Sequence, residues 1–474
     1  MYATFYRRRG MRSGNAMSFE CIAFIYHQIR ISRICPEGVC KLRYWIKEDL
    51  AMIGKFRHRK VGLFVVAACA LMGTTAVQAG LGFRAGDWDL DFSGNVNGFA
   101  TWNSCDNKSF NIAGGLACNK GPEGSNTQSV ESGLLPSALV FSAKSRQMNL
   151  DVGVTIGLYP TLRTNPGDGS GNTALGSSSI NVRQNFLFFG DKTWGQVKVG
   201  RDIGIFASDA ILNDMTLLGV GSGAAFLGGS TTLGRIGVGY IYTDWIPQIT
   251  YSSPDFNGVK FAVGVFQGLD DEAILVGTDP NAATLTHHDS PGFQGKVTYE
   301  WKAPVSGKAW FSAMDQQAKS GANQFGPNTG VKSITGTAWD IGAKINYADL
   351  DAVGYYYNGE GVGTTAIGFG AASFAKGTLD KRKSDGYYGQ LTYKFDPVKL
   401  GYSYGVSNLK YASNESTTTN PRLLRKNSAS VFGVYYALTP SLNLVGEYIM
   451  TKAQAQNDDS IKDNAFALGA ILFF

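Results

Sequence analysis

Polar and apolar residues alternate with a period of two in short runs along most of the chain from Asp87 to Phe474. From Leu150 to Leu158, for example, every second residue is Leu, Val or Ile, and the residues between are Asp, Gly and Thr. Successive side chains of a β-strand point to opposite faces, so this pattern predicts strands with one apolar and one polar face. About sixteen such runs follow one another, which predicts an all-β fold.

The connections between these runs alternate between short turns and long polar loops. Short turns occur at Arg146–Gln147 and Ala348–Asp349, for example, and long loops at 103–133, 202–244 and 452–462. A soluble sandwich would not need this asymmetry, whereas a transmembrane barrel has short turns at one end and long loops at the other. Because lipid leaves no backbone N–H unpaired, the sheet has to close on itself. We therefore predict a transmembrane antiparallel β-barrel of about sixteen strands over 80–474, with an apolar outer face and a polar inner face.

Residues 52–79 have the features of a secretory signal peptide. Basic side chains between Lys55 and Lys60 precede an apolar core, Val61–Met72, and small residues lead to a predicted cleavage site after Ala79. The apolar core is too short for a spanning helix. Residues 1–51 show no clear periodicity, and we interpret them as an over-extended start or a disordered segment.

The formal net charge of +6 misleads about binding partners. Of the 43 basic and 37 acidic residues, 13 basic and 4 acidic ones lie in Met1 to Ala79, which leaves 30 basic and 33 acidic residues in the remainder. The exported chain is therefore slightly acidic, and no nucleic-acid partner is expected.

Cysteine usage also fits export. Four of the six cysteines lie in the part predicted to be removed, which leaves Cys105 and Cys118. Two cysteines that close a short loop in an oxidising compartment predict a disulfide, with about 3 kcal/mol of stabilisation. Cys35 and Cys40 are spaced as a weak metal pair, and we expect no metal there.

The hairpin from Val182 to Gly200 leads into the longest connection. We assign Phe186 and Phe188 to the apolar face of the hairpin, together with Val182, and Arg183 and Asn185 to its polar face. About forty Gly-rich residues follow, and a loop of that length is either disordered or functional. In a wide barrel such a loop can fold inward and narrow the pore.

Three stretches of the chain carry a family resemblance. The hairpin and its exit (183–201), the strand and turn at 249–258 and the last strand (464–474) resemble those of Gram-negative trimeric general porins. The resemblance implies a homotrimer of sixteen-stranded channels, each narrowed by an inward-folded third external loop, here about 202–244. It also implies that the terminal Phe474 is the signal read by the barrel assembly machinery.

In that family, acidic residues of the constriction loop oppose basic residues of the barrel wall. The acidic candidates in this sequence are Asp202, Asp209 and Asp214. The basic candidates are Lys144, Arg146 and Arg183, with Lys198 a weaker one. For each of them a solvated loop or rim side chain is the alternative. The loop lacks a Pro-Glu-Phe-Gly-like motif, and Arg201 shares parity with Val197 and Val199, so it points inward only if the strand ends or bulges before it.

Other chemistry has little support in the sequence. His287 and His288 are adjacent in a loop and do not indicate a metal site or a catalytic group, and Gly219–Gly223 lacks the strand, helix and Lys of a phosphate loop. We expect no enzymatic activity, cofactor or metal. The expected function is an outer-membrane porin for passive diffusion of ions and small hydrophilic solutes, with outer-membrane lipid around it. A substrate-specific channel, or a barrel that anchors an enzyme or adhesin, is the alternative.

Overall fold

The structure, a computed structural model, describes residues 80–118, 125–160, 162, 180–222, 231–269, 279–302 and 304–474. The signal peptide predicted for 52–79 and the over-extended start predicted for 1–51 lie outside the described residues.

Twenty β-strands lie among the described residues. They are β1 (Leu81–Ala85), β2 (Trp88–Cys105), β3 (Thr127–Glu131), β4 (Ala138–Gln147), β5 (Leu150–Pro160), β6 (Ile180–Asp191), β7 (Gly195–Ile203), β8 (Trp245–Ser252), β9 (Val259–Phe266), β10 (Gly292–Trp301), β11 (Ser306–Lys319), β12 (Ser333–Tyr347), β13 (Leu350–Glu360), β14 (Ala372–Ala375), β15 (Thr378–Lys381), β16 (Lys383–Phe395), β17 (Val398–Leu409), β18 (Leu424–Ala437), β19 (Leu442–Ala455) and β20 (Ser460–Phe473).

Helical structure is confined, in the described residues, to α1 (Ser208–Leu212) and a single 3-10 turn, Met215–Leu218. Neither has the length and apolar composition that a membrane-spanning helix needs, and the same holds for the rest of the described chain.

Sixteen strands form a closed antiparallel barrel, which confirms the predicted fold class. From β4 to β13, and again from β16 to β20, each strand pairs with the next along the chain; β13 pairs with β16, and β2 pairs with β4. The ring closes where β20 pairs with β2, from Asn95 opposite Phe473 to Cys105 opposite Asp463. Strands β1 and β3 extend the sheet beside β2, and β14 and β15 form a separate hairpin.

The outer face of the barrel is apolar. On β5, Val154, Ile156 and Leu158 are exposed while the intervening Thr155 and Gly157 are buried. Exposed apolar area costs about 25 cal/mol per Å² in water, so a continuous apolar face of this kind requires lipid around it. The other parity faces the barrel axis, and we call it the inward face.

The hairpin β6–β7 corrects our assignment of its two faces. A bulge in the pairing of β5 with β6, between Gly157 and Leu158, places two successive β6 residues on the same side. Arg183 and Gln184 are therefore both buried, and the β6 residues after them lie on the face opposite to the predicted one. Phe186 and Phe188 point inward and Asn185 outward, the reverse of our prediction for these three.

Two connections also differ from the predicted boundaries. Asp202 lies within β7, so the connection predicted as about 202–244 runs from 204 to 244. The connection predicted between Lys452 and Lys462 is instead a turn of four residues, 456–459, because β19 and β20 continue their ladder further than the apolar alternation does.

Candidate functional site

The connection between β7 and β8 forms hydrogen bonds with side chains of several barrel strands. We call residues 204–222 and 231–244 the β7–β8 segment. It begins with α1, followed by the 3-10 turn, whose N-cap is Asp214. The Asp214 carboxylate accepts hydrogen bonds from the Thr216 backbone N–H (2.9 Å) and hydroxyl (2.8 Å), which is why the chain turns at this point.

Apolar side chains of the segment pack on the inward face of β11–β13, β16 and β18. Phe206 and Tyr240 are fully buried, in one cluster with Trp310, Tyr355 and Tyr388. Burial of each large apolar side chain contributes about 1.5–3 kcal/mol. The inward face on this side of the barrel is thus the base of a hydrophobic core.

The first turn of the segment is also held by polar side chains of the wall. The backbone N–H groups of Ile205 and Phe206 both donate to Gln294 Oε1 on β10, at 2.8 and 2.9 Å. The N–H of Ala207 donates to Asp340 Oδ2 on β12 at 3.0 Å. These acceptors satisfy donors at the start of α1 that have no partner within the helix.

Strands further round the ring hold the later part of the segment. Met215 N–H donates to Gln390 Oε1 on β16 at 2.7 Å. The N–H groups of Val220 and Gly221 both donate to Glu447 Oε2 on β19 at 2.8 Å. Leu134, between β3 and β4, donates its N–H to Gly219 O at 2.9 Å. The glycine stretch at 219–221 therefore presents its N–H groups to a carboxylate of the chain itself.

Asp209 forms the charged centre of the segment. Its carboxylate lies 2.6 Å from Lys296 Nζ and 2.5 Å from Lys308 Nζ, which project inward from β10 and β11. Burial raises the pKa of Asp209, but the two ammonium groups outweigh this effect and hold the pKa at about 2. Asp209 is thus ionised and opposed by wall lysines, although not by the lysines and arginines that we predicted.

Asp214 serves the internal structure of the segment. Besides the two bonds from Thr216, it accepts from Arg235 N–H (3.2 Å) and from the Tyr240 hydroxyl (2.9 Å). Burial raises its pKa even though the Arg235 guanidinium opposes this. Its oxygens are thereby occupied within the segment, and it meets none of the predicted wall bases.

Arg235 is a buried cation that connects the segment to two strands. Its guanidinium donates to Ala429 O on β18 at 2.7 Å and to Ser403 O on β17. The residue is fully buried. A buried charge needs such partners, because leaving it unpaired costs several kcal/mol.

Asp202 and Lys198 form a second ion pair, on β7 itself. The ammonium of Lys198 lies 2.5 Å from Asp202 Oδ2, and Gln184 donates to Asp202 Oδ1 at 3.3 Å. Lys198 also lies over the ring of Phe186, 5.3 Å from its centroid. The two residues that we placed on opposite sides of a constriction are therefore neighbours on one strand.

The other predicted bases lie apart from the segment acids. Arg146 is half exposed at the short-turn end, where it pairs with Asp151 (2.9 Å) and Asp191 (2.6 Å). Lys144 is exposed on β4, opposite Asp89 of β2. Arg183 is buried over the ring of Tyr159, at 5.4 Å.

The remaining predicted residues lie at the two ends of the barrel. Cys105 and Cys118 are paired in a disulfide, with Cα atoms 5.4 Å apart, at the long-loop end. Phe474 exchanges backbone hydrogen bonds of 2.9 and 3.0 Å with Gly94, and its ring lies 5.9 Å from that of Phe92. Among the described residues, no group of three or more His, Cys, Asp or Glu side chains is placed to hold a metal ion.

Sequence reasoning missed the wall partners of the segment: Gln294, Lys296, Lys308, Asp340, Gln390 and Glu447. Each is a polar residue at an inward position of a strand. Which of them meet the segment depends on contacts as much as 227 residues apart in sequence, for which the sequence pattern gives no signal.

The inward face on the opposite side of the barrel has another composition. On β4–β9 it is made mainly of Gly, Ser, Thr, Gln and Lys, with Ser142, Thr155, Gln184, Lys198 and Thr250 as examples. We call this face the polar wall, and the inward face of β10–β13 and β16–β19 the segment-bound wall.

Comparison with known protein families gives a match over most of the chain. A family model described as Gram-negative porin matches residues 65–456. A search of curated proteins gave no significant match.

Solved structures share the fold at low sequence identity. The outer membrane channel DcaP of Acinetobacter baumannii is similar with a TM-score of 0.59 and 17% identity, over 84% of this chain and 100% of that one. An anion-selective porin from Comamonas acidovorans gives 0.51 and 14%, over 82% and 100%. OprB of Pseudomonas putida gives 0.50 and 12%, over 81% and 94%.

Proposed function

Since the chain belongs to the Gram-negative porin family and forms an outer-membrane channel for the passive diffusion of solutes, we propose that the β7–β8 segment sets the width and the charge of this channel. The observation that carries the proposal is the set of bonds from the segment to inward side chains. They begin at Gln294 on β10 and end at Glu447 on β19.

A segment bonded to wall side chains over that many strands has to lie inside the ring. It occupies the part of the lumen beside the segment-bound wall, where apolar side chains exclude water. The water-filled path then runs between the segment and the polar wall. A barrel of sixteen strands is wide enough for such an aqueous channel.

Two ion-paired groups contribute charge here, one between the segment and β10–β11 and one on the polar wall. Asp209 faces Lys296 and Lys308, and Asp202 faces Lys198. Charged side chains in a narrow pore set ion selectivity and orient dipolar solutes, and the two groups supply both signs. Lys144 and Arg146 lie toward the short-turn end, where they would act on solutes leaving the constriction.

The bonds at the start of the segment provide a test. In the double variant Gln294→Ala/Asp340→Ala, the N–H groups of residues 205–207 lose their acceptors, at a cost of about 1–3 kcal/mol for each unsatisfied donor. In planar bilayers we expect a larger and noisier single-channel conductance, and in liposome swelling a higher size limit for sugars. Asn358→Ala, on the exposed outward face of β13, is the matched control. An unchanged conductance and size limit in the folded double variant would contradict the proposal.

Two further parts of the proposal concern assembly and activity. We propose that the channel assembles as a homotrimer, as the resemblance to trimeric porins implies, and that it has no catalytic activity of its own. Cross-linking in intact outer membranes should yield a species of three chains, and a monomer as the largest species would exclude the trimer.

Export and insertion complete the proposal. We propose that residues 52–79 are removed as a signal peptide and that Phe474 is read by the barrel assembly machinery. Mass spectrometry of the purified protein should give Gly80 as the first residue. Deletion of Phe474 should lower the amount in the outer membrane while leaving refolding in detergent intact.

A further inference from the structure

Three lysines lie side by side on the outward face of β18, β19 and β20, near the long-loop end. Lys452 on β19 is directly opposite Lys462 on β20. Lys426 on β18 is opposite Gln454, so it lies diagonally from Lys452. Directly opposed side chains have Cβ atoms about 4.5–5.5 Å apart, and like charges in such a pair repel each other. We call these three residues the outward lysine cluster.

The cluster is unneutralised in the described part of the chain. No ion pair there involves Lys426, Lys452 or Lys462. The nearby carboxylates have other partners: Asp458 pairs with Arg425 (2.5 Å), Asp459 with Arg422 (3.4 Å) and Asp385 with Lys410 (3.9 Å), and Asp106 accepts the backbone N–H of Lys462 (3.0 Å). Three repelling ammonium groups therefore remain without a counter-ion from the described residues.

The height of the cluster on the barrel identifies its surroundings. An unbroken row of exposed aromatic side chains crosses the same strands: Phe432, Tyr448, Phe466 and Trp102 are successive cross-strand neighbours. Such rows mark the edge of the hydrocarbon. Lys452 lies four residues beyond Tyr448 toward the long loops, about 13 Å along the strand. That is the level of lipid headgroups in the leaflet on the long-loop side.

We propose that Lys426, Lys452 and Lys462 form a binding site for the phosphate groups of a lipid headgroup in this leaflet. Each ammonium offers three donors to phosphate oxygens, and one phosphate between Lys452 and Lys462 removes their mutual repulsion. The aromatic row below packs against the acyl chains of the same lipid. Because the three side chains point away from the lumen, the site is independent of the constriction.

The test uses native mass spectrometry of the full protein in detergent, with bisphosphorylated lipid A and with dephosphorylated lipid A as probes. The variant is Lys426→Gln/Lys452→Gln/Lys462→Gln. The control is Lys192→Gln/Lys302→Gln/Lys376→Gln, three exposed lysines in connections away from the aromatic row. A basic residue near an anionic lipid surface contributes about 1 kcal/mol, so we expect the cluster variant to bind the bisphosphorylated lipid about 100-fold more weakly. The control should bind it as the original chain does.

Three results would overturn the proposal. They are equal binding by the cluster variant, an equal loss in the control, and equal binding of the dephosphorylated lipid by the original chain. The single variant Lys452→Gln, with an expected loss of about 5-fold, keeps the test available should the triple variant not fold. Single-channel conductance should be the same in the cluster variant and the original chain, which separates this outcome from a failure of the constriction.

Discussion

The two sides of the barrel interior differ as the inside of a soluble protein differs from its surface. The segment-bound wall presents aromatic and aliphatic side chains, such as Trp310, Tyr355 and Tyr388, and these are packed under the β7–β8 segment. The polar wall presents small and hydrophilic ones, such as Ser142 and Thr250. Both walls follow the same alternation along their strands, so the period-two pattern specifies which face a residue occupies. The polarity of each inward side chain then specifies whether it packs against the segment or faces water.

This contrast explains how the long β7–β8 connection can keep one position against the barrel wall. A loop held by surface ion pairs alone would gain at most about 1 kcal/mol from each pair. Packing on an apolar wall, together with hydrogen bonds to Gln294, Asp340 and Glu447, adds contributions of the kind that fix secondary structure in soluble proteins. The segment contacts the polar wall through a smaller cluster, in which Ile205 packs with Ile246 of β8 and Phe266 of β9.

The largest effect is expected from removing the centre of the segment packing. Phe206→Ala deletes a fully buried ring, at a cost of about 3–5 kcal/mol in the docking of the segment. We expect higher and fluctuating single-channel conductance, with barrel formation preserved on unheated gels. Phe261→Ala, on the exposed outward face of β9, is the matched control. If both variants conduct alike, the packing on the segment-bound wall does not hold the segment.

Cysteine labelling compares the two walls directly. Ser142→Cys on the polar wall should react rapidly with a water-soluble thiol reagent. Ala429→Cys, whose site is 2% exposed on the inward face of β18, should react about 100-fold more slowly, because a packed region must first open at a cost of a few kcal/mol. Mass spectrometry of the time course gives both rates. Similar rates would mean that water reaches both sides of the lumen equally.

Acid should act on the segment through Asp209. Its pKa in the folded channel is about 2, below the ordinary 3.8, so the fold favours the ionised carboxylate. The stabilisation from its two lysines is complete above pH 4 and is lost as the pH falls toward 2. We expect conductance to change across this window in the original chain. In Asp209→Asn this change of conductance with pH should be missing. An identical pH profile for the two proteins would exclude Asp209 as the titrating group.

The smallest effect on conductance is expected at the disulfide. Reduction of Cys105–Cys118 opens a loop with a sequence separation of 13, which lowers the free energy of unfolding by about 3 kcal/mol. The bond lies at the long-loop end, outside the β7–β8 segment, so single-channel conductance should be unchanged while the unfolding temperature falls. Cys105→Ser/Cys118→Ser should match the reduced protein. A changed conductance would show that the first external loop also acts on the channel.

Sequence reasoning succeeded where the information is local. Alternation and connector lengths gave the all-β barrel and its sixteen strands, and runs such as Leu150–Leu158 gave the correct outward side chains. It failed at Phe186 and Phe188, because the bulge opposite Gly157 changes the face of the later β6 residues, and the alternation gives no sign of this bulge. The wall partners of the segment could not be predicted from the sequence, for a different reason. The alternation places Lys296 on an inward face, but the contacts of Lys296 and Lys308 with Asp209 depend on how the segment packs.

The bonds of the β7–β8 segment also constrain the order of assembly. Apart from its contact with Leu134, the wall residues described above that hold it lie later in the chain, from Gln294 on β10 to Glu447 on β19. Final docking therefore has to wait until nearly the whole ring has been synthesised and brought together. Until then the apolar side chains around Phe206 have no wall to pack against. An incomplete barrel therefore exposes on its interior the same apolar groups that are buried in the complete one.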